Sequence, residues 1–384
     1  MPASEHSSIS RDLIAQIVGE YIDPYTQEPL AYTDFVASVE TNTESDSAGI
    51  RVDIMLGYPA AGIIDEYQQA VAQHVKDALL AKGQSADLVQ SIKLHITVAY
   101  QVASHTRSSN VAGLEQVKNI IAIASGKGGV GKSATALNIA LALHQEGATV
   151  ALLDADIYGP SQPLMLGIPP EQRPEVREQK YFYPIEAHGL QTMSMGYLVT
   201  EKTPMVWRGP MVSGALTQMV NQTLWRNVDY LIVDMPPGTG DIQLTLSQQV
   251  PVTGSAIVTT PQDIALLDAK KGIEMFRKVN IPCLGIIENM ATHICSQCGH
   301  NEAIFGDGGG ERIAKEYDVP LLGSLPLSME IRKGLDEGKP TVATNPDSEL
   351  AKQYRQIARQ LAAQLCLPER KQSRAAPKIV VSND

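Results

Sequence analysis

Apolar positions change rhythm along the chain, and each rhythm predicts a different kind of element. Between residues 12 and 101, Leu13, Ile17 and Tyr21 recur at helical spacing, which predicts an amphipathic helix. Ile50, Val52, Ile54 and Leu56 then alternate strictly with polar residues, the pattern of a half-buried strand. Ile64, Tyr67, Val71, Val75 and Leu79 mark a second helix, and Leu94, Ile96, Val98 and Tyr100 a further strand. Together they predict a small α+β module over residues 1–102. The polar stretch ASHTRSSN (103–110) opens a linker that runs to residue 114.

From residue 115 the alternation gives way to continuous apolar runs: NIIAIAS, TVALLDAD, YLIVDMPPG, GSAIVTT and CLGIIENM. They are short, rich in Ile and Val, and separated by helical patterns. Strands buried on both faces by flanking helices read this way, so residues 115–366 are expected to form an α/β domain around a mostly parallel sheet. Its last helix, SELAKQYRQIARQLAAQL, is expected to pack through Leu350, Tyr354, Ile357 and Leu361. The polar residues 367–384 are expected to form a loose tail.

Composition narrows the function classes. A net charge of −11 over 384 residues argues against a general nucleic-acid binder, whose footprint is a basic surface. No run approaches the ~18 uninterrupted apolar residues of a membrane span, and MPASEHSSIS has no apolar signal core. With only four cysteines, the expectation is a cytoplasmic protein, since disulfide frameworks belong to oxidising compartments.

The first chemistry-bearing stretch is IIAIASGKGGVGKSATALNIALAL (120–143). Gly126, Gly131, Lys132 and Ser133 fit the G-x-x-x-x-G-K-[ST] pattern, between a predicted strand and a predicted helix. Glycines let the backbone curl so that the N–H groups of Gly126 to Ser133, through Gly128, Gly129 and Val130, face phosphate oxygens. Lys132 is expected at the β/γ-phosphates and the Ser133 hydroxyl on Mg²⁺. Asp154 and Asp156 end the next strand, and Asp234 ends a third, where open α/β sheets bind their ligands. Any one of these carboxylates alone reads equally well as a capping residue.

Lys127, directly after the first glycine, is one lysine more than the ordinary loop needs. GKGGVGKS resembles the deviant Walker A signature of the P-loop ATPase class that includes ParA, MinD and the nitrogenase iron protein. Within that class the chain closely resembles the Mrp/ApbC iron–sulfur cluster carriers. The matching segments are DADIYGPSQPLMLG (154–167), VWRGPMVSGAL (206–216), DYLIVDMPPGTGDIQLTLSQ (229–248), TTPQDIALLDAKKGIEMF (259–276) and GIIENMATHICSQCGHNEAIFGDGGGERIA (285–314). The resemblance implies a homodimer that holds ATP between its subunits, with Lys127 reaching the partner's nucleotide. It implies that Asp156 helps position the attacking water, that Asp154 and Asp234 support Mg²⁺ and its waters, and that Asn289 meets the adenine. An Asn at a strand end is also often just a cap or turn. The N-terminal module resembles the small domain of iron–sulfur assembly factors, but MLGYPAAG stands where that family has a cysteine, and no cysteine precedes Cys283. Docking rather than thiol chemistry is the role left to it.

HICSQCGHNEAIF places Cys295 and Cys298 as C-x-x-C on a loop. By spacing alone the pair is a redox dithiol, half a zinc site or incidental, and His293 and His300 are placed to complete a zinc knuckle. Twofold symmetry offers another completion, in which two thiolates from each subunit bind one cluster. The resemblance favours that reading, with a bridging cluster of the [4Fe–4S] type. The function it implies is an ATP-hydrolysing carrier that passes clusters to apoproteins, with apo iron–sulfur clients and cluster-assembly factors as partners and no nucleic acid or membrane. A positioning ATPase of the MinD or ParA type and a zinc-stabilised ATPase scaffold are the alternatives, and an electron-transfer ATPase a third.

Overall fold

The computed structural model describes residues 9–33, 35–42, 49–105, 113–156, 159–198, 209–295 and 297–367. The expected tail beyond Leu367, most of the expected linker and the start of VWRGPMVSGAL lie outside the described residues. Contacts divide the chain into two units, Met1–Ala103 with Cys366–Asp384, and Ser104–Leu365.

In the first unit, α1 (Arg11–Gly19) starts at Ser10, whose hydroxyl accepts the Leu13 N–H. It buries Ile14, Ile17 and Val18, while Leu13 is half-buried and Tyr21 lies past the helix end, so the apolar face is rotated from the expected one. Strand β1 (Val36–Asn42), which the sequence pattern did not reveal, pairs antiparallel with β2 (Gly49–Leu56). The helix α2 (Ile64–Ala81) buries Tyr67, Val71, Val75 and Leu79 and is followed by α3 (Ala86–Ser91). Strand β3 (Leu94–Tyr100) completes the sheet by pairing parallel with β2. A buried carboxylate organises this unit: Asp23 accepts bonds from the Tyr58 hydroxyl at 2.6 Å, the Tyr67 hydroxyl at 2.7 Å and the Tyr25 N–H at 2.9 Å. Burial and that carboxylate push both tyrosine hydroxyls far above their ordinary range, so they stay protonated as donors.

The second unit opens with β4 (Val117–Ala124), α4 (Lys132–Gln145), β5 (Val150–Asp154) and the short α5 (Gln162–Met165). A small hairpin, β6 (Val176–Arg177) and β7 (Tyr181–Phe182), leads to β8 (Ile185–Ala187) and β9 (Leu190–Ser194). Then come α6 (Gly209–Gln222), β10 (Val228–Asp234), α7 (Asp241–Gln249), β11 (Gly254–Thr259), α8 (Asp263–Lys278) and β12 (Cys283–Glu288). A second hairpin, β13 (His293–Ile294) and β14 (Asn301–Glu302), precedes α9 (Gly309–Tyr317) and β15 (Leu321–Ser324). Helices α10 (Met329–Asp336), α11 (Thr341–Thr344) and α12 (Glu349–Ala363) close the unit.

The main sheet runs β15-β12-β11-β4-β10-β5-β9-β8 and is parallel except for the β8–β9 pair. The five apolar runs of the sequence are its five contiguous inner strands, from β12 to β5. That is why they lack alternation: helices cover both faces, so no side of the strand meets water. Helix α4 is buried almost throughout its length between the sheet and α12. The two helices are also joined by charge, because the fully buried Glu146 at the end of α4 accepts from Arg355 at 2.6 Å and Arg359 at 2.5 Å on α12. On α12 itself, Tyr354, Ile357 and Leu361 are buried as expected, while Leu350 is only half-buried.

Candidate functional site

Sheet register assembles the phosphate end. In the β10–β5 pairing Asp234 lies directly opposite Asp154, so the carboxyl ends of two neighbouring strands carry adjacent carboxylates, both fully buried. The loop from β4 to α4 passes beside them. Gly131, at φ 81°, turns the chain into α4, whose first residue is Lys132. Gly126 packs so closely on α8 that a Cβ there would fall 2.1 Å from the Asp268 backbone. The Lys132 ammonium is buried, donates to the Asp234 carboxylate and lies 3.1 Å from the Ser133 hydroxyl. Lys127, by contrast, is half-exposed, with Gly128 and Gly129 exposed beside it.

Two carboxylates and one ammonium leave a surplus of negative charge. Burial, followed by the neighbouring Asp234 charge, pushes the Asp154 carboxyl up to about 7, against the opposing bonds from the Gln162 and Asp156 N–H groups and the Ser194 hydroxyl. Asp156 itself is half-buried, and its described role is that backbone bond to Asp154. Gln162 was not singled out from sequence, yet it ties the site together. Its side-chain amide donates to Asp234 at 2.8 Å and to the Ser133 carbonyl at 3.0 Å, while its buried Oε1 has no donor. Hard oxygen ligands, excess negative charge and an orphaned acceptor are the donor chemistry that suits Mg²⁺.

The thiol end leaves the same sheet from β12. Cys295 and Cys298 lie on the turn of the β13–β14 hairpin, which is closed by the Cys295 N–H on the His300 carbonyl and the Gly299 N–H on the Cys295 carbonyl, both at 2.8 Å. Cys298 is exposed and Cys295 half-exposed, whereas Cys283 and Cys366 are buried. Backbone N–H groups of Gln297 and then Cys298, with the Cys298 side chain, pull the Cys295 thiol below its ordinary range. Among the described residues, no three His, Cys, Asp or Glu side chains gather to hold a metal ion. Of the two histidines expected to complete a zinc knuckle, His293 faces Glu302 at 3.8 Å and His300 is exposed.

Asn289, expected near an adenine, is buried, and its side-chain amide donates to the Val130 carbonyl of the phosphate loop at 2.9 Å. Spacing alone held no signal for that contact, since the two residues are far apart in sequence.

A model of the ParA/NUBPL iron-transfer P-loop NTPases matches residues 116–362, nearly the whole second unit. The chain belongs to this family. An iron–sulfur cluster carrier protein of Pseudomonas fragi is 62% identical over 272 residues, covering 71% of this chain and 94% of its own. One from Haemophilus influenzae is 48% identical over 352 residues, 92% of this chain and 91% of its own, and so extends through the N-terminal unit as well. Among solved structures, a nucleotide-binding protein of Archaeoglobus fulgidus in complex with ADP is 30% identical, with a TM-score of 0.55, over 64% of this chain and 96% of its own. The P-loop NTPase fold and the class of nucleotide-hydrolysing proteins follow from family membership. None of the described helices is long and apolar enough to cross a membrane.

Proposed function

We propose that this protein is an ATP-dependent iron–sulfur cluster carrier that works as a homodimer in the cytoplasm. The observation that carries the reading is the hairpin at the end of β12. It presents two free thiols, one of them acidified, as half of a four-thiolate set, on the strand next but one to the nucleotide loop. A second copy related by a twofold axis supplies the other two thiolates, and the cluster, here the cargo, is bridged as [4Fe–4S]. The relatives named as carriers and the ADP-bound relative support the pairing of cargo and nucleotide.

In this reading the loop N–H groups and Lys132 hold the phosphates of ATP, and Ser133, Asp154 and Asp234 hold Mg²⁺. When bound, Mg²⁺ supplies the positive charge the carboxylate pair lacks. Gln162 holds Asp234 and the start of α4 together, Asp156 orients the attacking water, and the half-exposed Lys127 reaches the partner's nucleotide. Asn289 borders the adenine pocket. Lys132 exchanges its Asp234 partner for phosphate, which frees that carboxylate for the metal and its waters. Hydrolysis is slow until a partner engages, and shifts the dimer between arrangements of unequal cluster affinity. Apo iron–sulfur clients take the cluster by thiolate exchange. The N-terminal segment 1–102, which has no cysteine, docks clients or assembly factors, and 115–366 forms the ATPase proper.

Anaerobic reconstitution with iron and sulfide tests this. The wild type is expected to take up about four irons per dimer with a visible charge-transfer band, and Cys295→Ala/Cys298→Ala to lose both. One tightly held zinc per subunit with no iron uptake would replace the carrier with a zinc-stabilised ATPase scaffold.

A further inference from the structure

The cysteine hairpin has a narrow neck, and both sides of it are fastened. On the outgoing side, Asn289 follows β12 directly. Its backbone N–H donates to the Thr259 carbonyl at 2.7 Å, at the end of β11, and its side chain donates to Val130 in the phosphate loop. Gly131 makes this approach possible, because a Cβ there would lie 2.2 Å from the Asn289 amide nitrogen. The next residue, Met290, sits at φ 56°, a left-handed conformation that is costly without a structural reason. That turn sends the chain out of the sheet, and Cys295 follows within six residues of Asn289. The returning chain is tied to the same strand end, because buried Glu288, the last residue of β12, accepts the Gly310 N–H of α9 at 2.7 Å and the Ser324 hydroxyl at 3.0 Å. The hairpin is steadied at its base by the Ala291 N–H on Leu325 and the Leu327 N–H on Thr292.

We infer that Asn289 is the positioning residue that couples the nucleotide loop to the cysteine hairpin, through its bond to the Val130 carbonyl. The physical reason lies in the peptide groups. Cradling phosphates requires the loop N–H groups to converge on the anion, which reorients the peptides that carry them, and the Val130 carbonyl is one end of such a peptide. A change there lengthens or breaks the Asn289 bond. Asn289 is followed by a strained left-handed residue, while Glu288 directly before it is held by Gly310 and Ser324. The displacement therefore passes along the short segment to the thiols rather than into the sheet. The inference deepens the carrier reading by assigning the regulation of its thiol site, and rests on that reading for its purpose. Its geometry and its test need no cluster.

The test uses the full-length, metal-free, reduced protein and measures alkylation of Cys295 and Cys298 by iodoacetamide. Rates are compared without nucleotide and with saturating Mg·ADP or a non-hydrolysable ATP analogue, with saturation verified separately for each variant. Cys283 and Cys366 are buried and serve as internal controls. In the wild type, nucleotide should change the labelling rate by about fivefold or more, the scale of typical site-to-site coupling. In Asn289→Ala the ratio should collapse towards one although nucleotide is bound. Asn289→Ser, whose short side chain cannot span to Val130, should behave alike and stands in if the alanine variant does not unfold cooperatively. A wild-type ratio of one, or a ratio retained in a folded, nucleotide-bound variant, overturns the inference. Neither outcome touches iron uptake, so the carrier proposal stands or falls separately.

Discussion

Lys132, Asp154 and Asp234 are buried, held by the sheet register and by Gln162 and Ser194. At the cysteine hairpin, Cys298 is exposed, Ile294 is 53% exposed, and Met329, which lines the same small cavity, is 64% exposed. One site is assembled inside its own subunit and carries charge without enough counter-charge. The other is a hairpin of two-residue strands whose Ile294 and neighbouring Met329 are more than half exposed among the described residues. The difference teaches where each site finds its completion. In the proposed carrier, charge in a dry pocket is completed by a charged ligand, whereas a half-set of thiolates on an open turn is completed by another copy.

Substitution tests that contrast most severely. Lys132→Ala removes the proposed phosphate donor and, among the described residues, the one ammonium shown bonding to Asp234. Hydrolysis should fall by about 10²–10³-fold, as for loss of one preorganised donor. Leaving buried carboxylate charge unpaired should also destabilise the free protein by about 3–5 kcal/mol in denaturant titration. Cys295→Ala, on the open turn, should change stability by less than about 0.5 kcal/mol. Equal destabilisation by the two variants would break the comparison.

The second test is a pH profile. Because burial and Asp234 raise the folded-state Asp154 carboxyl from 3.8 to about 7, its contribution to stability is fully present below the unfolded value and is lost as pH rises through the folded one. The unfolding free energy of metal- and nucleotide-free protein, read by denaturant titration, should therefore fall between pH 4 and 7 relative to Asp154→Asn, by an amount on the order of a few kcal/mol. Parallel profiles for the two proteins would show that the pocket carries no such excess charge.

The smallest expected effect belongs to the hairpin. The Cys295 alkylation midpoint should lie below the ordinary thiol value of 9, since backbone N–H groups of Gln297 and Cys298 stabilise its thiolate. Cys298→Ala removes only the side-chain part of that support, so the rate at neutral pH should drop by about threefold rather than vanish. A Cys295 midpoint at or above 9 would show that the backbone N–H groups do not stabilise its thiolate.

Much of this was readable in one dimension, and the exceptions are instructive. The five inner strands stood out because burial on both faces forces unbroken apolar runs. Strand β9 is as fully buried, but Gln191, Thr192 and Ser194 disguise it: each finds a partner that only the folded chain supplies, such as Tyr197 for Thr192 and Asp154 for Ser194. Strand β1 ends in polar residues and was missed for a similar reason. In α1 the face was misjudged because Leu13, Ile17 and Tyr21 share a spacing with the adjacent set Ile14, Ile17 and Val18, and only packing chooses between them.

By itself the sequence determined the local chemistry: glycines that curl a loop around phosphate, a lysine and a serine at its end, carboxylates after apolar runs, and two thiols three residues apart. Those depend on backbone geometry and residue type over a few positions. Tertiary structure alone decided which of them meet. Asp154 faces Asp234 through strand register, Gln162 bridges them from a separate turn, and Asn289 touches the phosphate loop 159 positions away. Such contacts carry no periodic signal, because they are set by the stacking of parallel strands whose order in space differs from their order in the chain.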